Sequence, residues 1–219
     1  MTSSGAIFLS AGVPEPGAKH FVREGDLAAI SAAVSALLYV TLGRRKLVWG
    51  GHPAITPMIW SVATGMGVDY GEWVLLYQSG AFEDEFPEET RRFRNVVVTD
   101  AMGGDKIASL GPMRKRMLTE SVFQAAVFIG GMGGIMTEYE LVKELAPTAD
   151  VVPIASTGGA SVDVAEREGV RTGLRLELDY VSLLHEQLNI DPNEKRYRTV
   201  LEQPVMVADR IVMPTKRDG

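Results

Sequence analysis

Length and composition restrict the function classes open to this chain. Its 219 residues suit one compact domain with a sizeable core, and the absence of cysteine excludes disulfides and thiolate metal ligands. A formal net charge of −6 argues against a general nucleic-acid binder, which would carry a basic stripe. No apolar run approaches the roughly 20 residues that span a bilayer, and residues 1–5 lack the basic start of a signal peptide. We therefore expect a cytoplasmic protein with no membrane partner.

Short apolar runs alternate with longer amphipathic segments along the chain. This alternation is typical of strand-helix units that build a parallel sheet. The runs predict six strands, at Ala6–Leu9, Leu47–Trp49, Trp73–Tyr77, Asn95–Thr99, Ala125–Ile129 and Val151–Ile154.

The segments between the strands carry helix signals. Asp26 is a capping residue for a helix that ends at Gly43, and Pro57 suits the first turn of the next helix. Later helices are predicted at Ser109–Phe123, Met136–Leu145, Val162–Glu168 and Asp179–Leu188. The sequence therefore predicts an α/β fold: an open, mainly parallel sheet of about six or seven strands with helices on both faces.

Two segments lack this periodicity. Ser79–Arg94 is acidic, then basic, and contains glycine and proline, which predicts a long loop or lid. From Asn189 onward, charge and proline rise. We expect residues 191–219 to form a tail that packs back on the domain or lies at a subunit interface, with residues 1–190 as the single domain.

Four loops that follow predicted strands are rich in small residues. They are Ser10-Ala11-Gly12, Gly50-Gly51-His52-Pro53, Gly130-Gly131-Met132-Gly133-Gly134 and Ser156-Thr157-Gly158-Gly159. In an open α/β sheet, such loops meet at the carboxyl ends of the strands, where ligands bind. Glycine lets backbone amides approach a phosphate, and the helix that follows directs its free N–H groups at the anion. A single glycine-rich loop is more often a simple turn, so the prediction rests on the convergence of the four loops. The Gly130–Gly134 loop, with four glycines in five residues between a strand and a helix, by itself favours a ligand.

Charged residues near these loops are candidates for ligand contacts. Arg114, Lys115 and Arg116 are consecutive on a predicted helix, so at most one or two of them face the rim; a solvated basic face is the alternative. Glu138 stands in the first turns after the Gly130 loop, where it suits either a ribose hydroxyl or the helix dipole. His52 is a plausible ligand contact. His20 and His185 have no partner at metal-ligand spacing, and we expect neither a metal nor a cofactor.

Two motifs carry a family resemblance. Phe128-Ile129-Gly130-Gly131-Met132-Gly133-Gly134, together with Met113-Arg114-Lys115-Arg116-Met117, resembles the paired motifs of the SLOG superfamily. That superfamily includes the Lonely Guy phosphoribohydrolases, also called lysine decarboxylase-like, DNA-processing protein A, and ligand-sensing domains of bacterial immune systems. The segments around Ser10 and Gly50 are similar to stand-alone bacterial SLOG proteins.

The resemblance implies a Rossmann-like SLOG domain, usually a homodimer that buries the Ser109–Phe123 helix, which binds a nucleotide-type small molecule. In the Lonely Guy enzymes an arginine and a glutamate of these motifs serve cleavage of the base from a ribose 5′-monophosphate. Arg114 matches that arginine. Thr137 stands at the glutamate position and Glu138 one residue later, which turns the side chain by about 100° on a helix.

Three hypotheses follow. The first is a sensor or processing domain that binds a phosphorylated nucleotide or nucleotide-derived signal and passes it to an effector protein partner. The second is a phosphoribohydrolase, a nucleotide N-glycosidase, with Arg114 and Glu138 as catalytic residues. The third is an interaction module whose glycine loops only turn corners. The expected ligand contacts are Ser10, Ala11, Gly12, Gly50, Gly51, His52, Gly130, Gly131, Met132, Gly133, Gly134 and Thr137.

Overall fold

The computed structural model describes residues 5–15 and 24–212. Within these residues it contains six β-strands, each at a position where the sequence predicts one. They are β1 Ala6–Gly12, β2 Leu47–Trp49, β3 Val74–Ser79, β4 Val96–Thr99, β5 Phe123–Gly130 and β6 Asp150–Ile154. All neighbouring pairs are parallel, in the order β4-β3-β2-β1-β5-β6. The predicted α/β Rossmann-like fold is confirmed.

The strand order reverses direction beside β1. From β1 the chain adds β2, β3 and β4 on one side, then crosses over so that β5 pairs with the other side of β1. The connections that leave two neighbouring strands run to opposite faces of the sheet at such a point, which opens a crevice at the carboxyl ends of the strands. The topology therefore places a candidate ligand site between β1 and β5.

The helices of the described residues are α1 Leu27–Thr41, α2 Thr56–Gly65, α3 Tyr70–Trp73, α4 Lys106–Thr119, α5 Gly133–Leu145, α6 Ala160–Arg167, α7 Thr172–Arg175 and α8 Tyr180–Gln187. Six of them lie where helical segments were predicted, with shifted ends. The short helices α3 and α7 were not predicted, and α3 contains Trp73, which was predicted to begin a strand. As predicted, Asp26 caps α1, since its carboxylate accepts from the amides of Ala28 and Ala29.

The prediction for α4 was wrong at both ends. Asp105 caps this helix by accepting from the amide of Ala108, so α4 begins three residues before Ser109. It ends at Thr119 because Phe123 already belongs to β5 and lies in the core. The periodicity of apolar residues reveals neither strand pairing nor capping, so it could not locate either end of α4.

Two hydrophobic cores fill the two faces of the sheet. Alternate strand residues such as Ile7 and Leu9 pack with α1, α2 and α8 on one face. The intervening residues, such as Phe8, pack with α4, α5 and α6 on the other face. The central strands are therefore buried on both sides, which explains their continuous apolar sequence.

Buried ion pairs connect the segment after α8 to the turn between α1 and β2. The two terminal nitrogens Nη1 and Nη2 of Arg45 donate to the Glu194 carboxylate at 2.6 and 3.0 Å, and Arg210 Nη1 lies 3.3 Å from the same carboxylate. Glu194 is only 1% exposed. Residues 191–212 of the predicted tail therefore contact the domain. A role of the tail at a subunit interface stays a prediction.

The predicted lid segment contains two short 3₁₀ turns, Gly80–Glu85 and Glu88–Arg92. Lys106, at the start of α4, pairs with Asp84 and Glu85 of the first turn and lies 5.2 Å from the ring centre of Phe82. In the second turn, the Arg92 guanidinium lies 4.7 Å from the centre of the Trp60 ring. These contacts hold the segment across the carboxyl end of β3.

Candidate functional site

A cavity of about 260 Å³ opens at the carboxyl ends of the central strands, at the point where the strand order reverses. Its wall combines strand-end loops, the first turns of α5, one side of α4 and the lid segment. The lining residues are Leu9, Ala11, Gly12, Val13, Trp49, Gly50, Gly51, His52, Pro53, Gln78, Ser79, Phe82, Glu85, Phe86, Pro87, Leu110, Met113, Arg114, Gly131, Met132, Gly134, Ile135 and Glu138.

The Gly130 loop lies against the end of β1. The Gly131 amide donates to the Gly12 carbonyl at 2.8 Å. Gly131 has a φ of +69°, and a Cβ atom there would collide with the side chain of Ile135. Only glycine combines this backbone conformation with this close approach. The loop therefore brings the start of α5 to the cavity wall.

The fourth glycine loop supports the Gly130 loop from behind. The Gly130 amide donates to Thr157 Oγ1 at 2.9 Å, and the Ala160 amide donates to the Gly131 carbonyl at 2.9 Å. A Cβ atom on Gly159 would lie 2.5 Å from that carbonyl oxygen. Ser156–Gly159 is therefore part of the support of the site, and its residues are not in the cavity wall.

Helix α5 presents its amino terminus to the cavity. No side chain of the described residues caps it, because Met132 occupies the capping position. Its first N–H groups and the positive end of its dipole therefore face the wall formed by Gly131, Met132 and Gly134. This arrangement favours an anion.

Arg114 lies beside this helix terminus. A Cβ atom on Gly134 would lie 3.1 Å from Arg114 Nη2, so the guanidinium contacts the first turn of α5. Arg114 Nε donates to Glu138 Oε1 at 3.0 Å. Of the three consecutive cations, Arg114 alone lines the cavity; Lys115 is exposed, and Arg116 is exposed and pairs with Glu120.

Glu138 is held from two sides. Ser10 Oγ donates to Glu138 Oε2 at 2.6 Å, while Arg114 occupies the other carboxylate oxygen. Ser10 is 1% exposed and acts on the cavity through Glu138, since it is not itself in the wall. The arrangement connects β1, α4 and α5 by charge-assisted hydrogen bonds.

The one-residue offset between Thr137 and Glu138 has a clear geometric result. Thr137 is exposed, and its hydroxyl donates to the Gly133 carbonyl at 3.2 Å. Glu138 instead lines the cavity. Glu140 is also exposed and pairs with Arg167 on α6, away from the wall.

His52 lines the cavity from the loop after β2. The amide of Ala54 donates to His52 Nδ1 at 3.2 Å, so the neutral ring carries its proton on Nε2. Burial lowers the pKa of His52, against the opposing attraction of Glu138 and Glu15. The ring is therefore a neutral hydrogen-bond donor near pH 7.

Several residues of the wall were missed by sequence reasoning. Phe82, Phe86 and Pro87 come from the lid segment, whose sequence gives no indication of which side chains point inward. Trp49, predicted as the last residue of a strand, is both 1% exposed and part of the wall. Gln78 had a usable signal, since it is a polar residue at the carboxyl end of an apolar strand.

Of the predicted contacts, Gly130, Gly133 and Thr137 join Ser10 outside the wall, and the other eight residues lie in it. Their roles toward a ligand stay predictions. Residues 5–15 and 24–212 contain no cluster of three or more metal-ligating side chains of the His, Cys, Asp or Glu type. In the same residues, no helix has the length and apolar character needed to cross a bilayer.

Comparison with known proteins identifies the family. The model of the SLOG cluster3 family matches residues 20–188. No curated protein and no solved structure gives a significant match. SLOG membership suggests a nucleotide-related function. With the matched region spanning every strand from β2 to β6, this chain belongs to the SLOG superfamily, in its cluster3 family.

Proposed function

We propose that this protein binds a phosphorylated nucleotide or nucleotide-derived signal in the cytoplasm, as a sensor or processing domain. The observation that carries the proposal is the contact between the Arg114 guanidinium and the uncapped first turn of α5. A phosphate at this point would accept hydrogen bonds from the backbone amides and from Arg114.

The remainder of the cavity suits a ribose and a base. Its wall is largely apolar, with Leu9, Leu110, Met113 and Ile135 beside the lid phenylalanines Phe82 and Phe86. At about 260 Å³, the cavity is slightly smaller than most ligand pockets, which span about 300–1,000 Å³. This size favours a mononucleotide over a dinucleotide.

The test is calorimetric titration of the protein with nucleoside mono-, di- and triphosphates and with ribose 5-phosphate. We expect Arg114→Ala to weaken binding about 10- to 150-fold, since a hydrogen bond to a charged group contributes about 1.5–3 kcal/mol. Arg116→Ala is the matched control, because Arg116 lies on the same helix and is exposed. Equal affinity of both variants and the unmodified protein would refute the phosphate site.

A second candidate function is hydrolysis of the bond between base and ribose 5-monophosphate. The position of Glu138 favours it, because a carboxylate in the wall beside Arg114 suits orientation of a ribose hydroxyl or of the attacking water. Water would add at C1′ and give a proton to Glu138, the bond from C1′ to the base nitrogen would break, and the base would leave after it takes up a proton. Arg114 could stabilise only negative charge in this step, such as that of the 5′-phosphate.

Chromatographic detection of free base distinguishes the two functions. Under the hydrolase hypothesis, Glu138→Gln abolishes base release and leaves nucleotide affinity largely unchanged. Under the sensor hypothesis, nucleotides bind and raise the melting temperature without any release of base. An effector protein partner would then have to receive the signal.

We also propose that the protein is a homodimer that buries part of α4. Support comes from an apolar surface at the start of that helix. Ile107, in its first turn, is 82% exposed, and Val98 of β4 and Met102 of the loop between β4 and α4 are each 52% exposed. Large apolar side chains grouped in this way favour association with another protein surface.

A further inference from the structure

The lid segment forms one side of the cavity wall. Phe82, Glu85, Phe86 and Pro87 all line the cavity, and each of them is also at least partly exposed to solvent. This stretch of the chain follows β3 directly. The lid segment therefore separates the cavity from solvent on the side of β3.

The two turns of the lid segment are held very differently. Thr90 in the second turn is buried, and Phe93 directly after it lies in the core, where its ring packs edge-on against Tyr70 at 5.8 Å between ring centres. In the first turn, Gly80–Glu85, no residue is buried. The first turn can therefore move while the second stays in place, because its movement breaks few buried contacts.

Lys106 makes the polar contacts that hold the first turn. Its ammonium group pairs with Asp84 and Glu85 and lies 5.2 Å from the centre of the Phe82 ring. Among the described residues, no other side chain outside the lid segment forms a hydrogen bond or an ion pair with a side chain of this turn. Lys106 thus joins the lid to the start of α4, the helix whose Arg114 lines the cavity.

This attachment is weak and depends on charge. The side chains of Lys106, Asp84 and Glu85 are 42%, 78% and 50% exposed. Exposed ion pairs contribute little to stability and are screened by salt. A cation at the amino end of a helix also opposes the helix dipole, so α4 itself does not favour a lysine there. The contacts with the lid explain the position of Lys106.

The size of the cavity fits a closed position of the lid. The cavity of about 260 Å³ is slightly smaller than most ligand pockets. An outward movement of the first turn would remove Phe82 and Glu85 from the wall. A nucleotide would then have more room to enter.

We propose that the first turn of the lid segment is a gate to the cavity and that Lys106 is its latch. The inference rests on the proposed function for the nucleotide that the gate admits, but opening of the gate can be measured without any nucleotide. The turn would move between Ser79 and Thr90, which are both buried. Lids of this kind control how fast a ligand enters and leaves.

Thiol labelling measures the opening. The chain has no cysteine, so Met113→Cys places a single thiol in the cavity wall, at a side chain that is 2% exposed. N-ethylmaleimide, a neutral reagent, should react with this thiol only when the cavity opens. Val164→Cys is the matched control for unfolding, because Val164 is fully buried on α6 and outside the wall.

Variants at Lys106 test the latch. We expect Lys106→Met to raise the labelling rate of the Met113→Cys thiol about two- to fivefold, the size typical of lost exposed ion pairs, and to leave that of the Val164→Cys thiol unchanged. Lys106→Arg should keep the slow rate, and Lys115→Met, which removes an exposed cation of the same helix, should have no effect. Equal labelling with and without Lys106, or an equal rise at both thiols, overturns the proposal.

Salt provides a second test. Raising the salt from about 0.05 to about 0.5 M should speed labelling of Met113→Cys in the protein that retains Lys106, because salt screens the charges of the latch. The Lys106→Met variant should lack this dependence. The same response to salt in both proteins contradicts the latch.

Nucleoside monophosphates connect the gate with the proposed function. Any that bind in calorimetry should slow labelling of Met113→Cys, and Lys106→Met should speed their dissociation in stopped-flow tryptophan fluorescence, since Trp49 lines the cavity. If no nucleotide binds but Lys106→Met still speeds labelling, the proposed function fails and the gate stands. If nucleotides bind through Arg114 and Lys106→Met changes neither rate, only the gate fails.

Discussion

At the scale of single residues, the site depends on charged side chains that hold each other in position through hydrogen bonds. Glu138 has one oxygen bonded by Arg114 and the other by Ser10, so its carboxylate is positioned before any ligand arrives. Pre-positioned polar groups need little reorganisation when a ligand binds. His52 differs, because no described acidic side chain bonds its ring and burial keeps it neutral.

The buried state of His52 predicts a pH dependence of stability. Because its pKa is lowered in the folded state, the unfolded chain binds the proton more readily. The contribution of the neutral, buried His52 ring to the free energy of unfolding is fully present above the ordinary histidine pKa of about 6.5 and declines as the pH falls below that value. Urea unfolding should show that the unmodified protein loses more stability between pH 7.5 and 5.5 than His52→Gln does. Parallel losses in the two proteins would contradict this.

At the scale of elements, one carboxylate joins distant segments of the chain. Glu194 follows α8, Arg45 precedes β2, and Arg210 lies in a 3₁₀ turn near the end of the described residues. Both Arg45 and Glu194 are almost completely buried. The net attraction within such a buried ion pair contributes little to stability. The loss of one partner, however, would leave an unpaired charge in the interior.

Removing this carboxylate should be strongly destabilising. Glu194→Gln keeps the shape of the side chain but leaves the buried Arg45 guanidinium without its charge partner, so we expect the free energy of unfolding to fall by about 3–5 kcal/mol. Chemical denaturation measures the change. Glu202→Gln, at an exposed position, is the control and should alter stability by less than about 0.5 kcal/mol. A similar small effect at both positions would show that the pair is dispensable.

At the scale of the whole molecule, the reversal of strand order beside β1 assembles the site. Residues from β1, β2, β3, α4 and α5 meet in one cavity although they are spread from Leu9 to Glu138. The proposed dimer also concerns the whole molecule. It would bury the surface around Ile107, and each subunit would keep a cavity of its own.

Light scattering coupled to size-exclusion chromatography tests the dimer. Ile107→Glu places a charge in the proposed interface and should shift the mass from about two chains to one, because an unpaired charge is costly to bury. Leu201→Glu is the control, as Leu201 is 94% exposed and lies after α8. A monomeric unmodified protein, or a dimer that survives the Ile107 change, would refute this interface.

Much of the fold was predictable because strand and helix periods are local properties of the sequence. All six strands were located from apolar runs, and Asp26 was recognised as a cap from its side chain alone. The ends of α4 were not predictable, because strand pairing and the Asp105 cap determine them. Gly130–Gly134 was recognisable as a candidate loop, because glycine allows the backbone conformations and the close approach that such a loop requires.

The sequence by itself determined the α/β class, the positions of the strands and the family-like motifs around Arg114 and Gly130. Only the tertiary structure decided that Glu138 lines the cavity while Thr137 does not, that Arg114 alone among three cations reaches it, and that Trp49 and Gln78 join it. The physical reason is that local periodicity reports which residues are apolar, whereas the side chains that meet in a cavity depend on strand order and on the rotation of each helix.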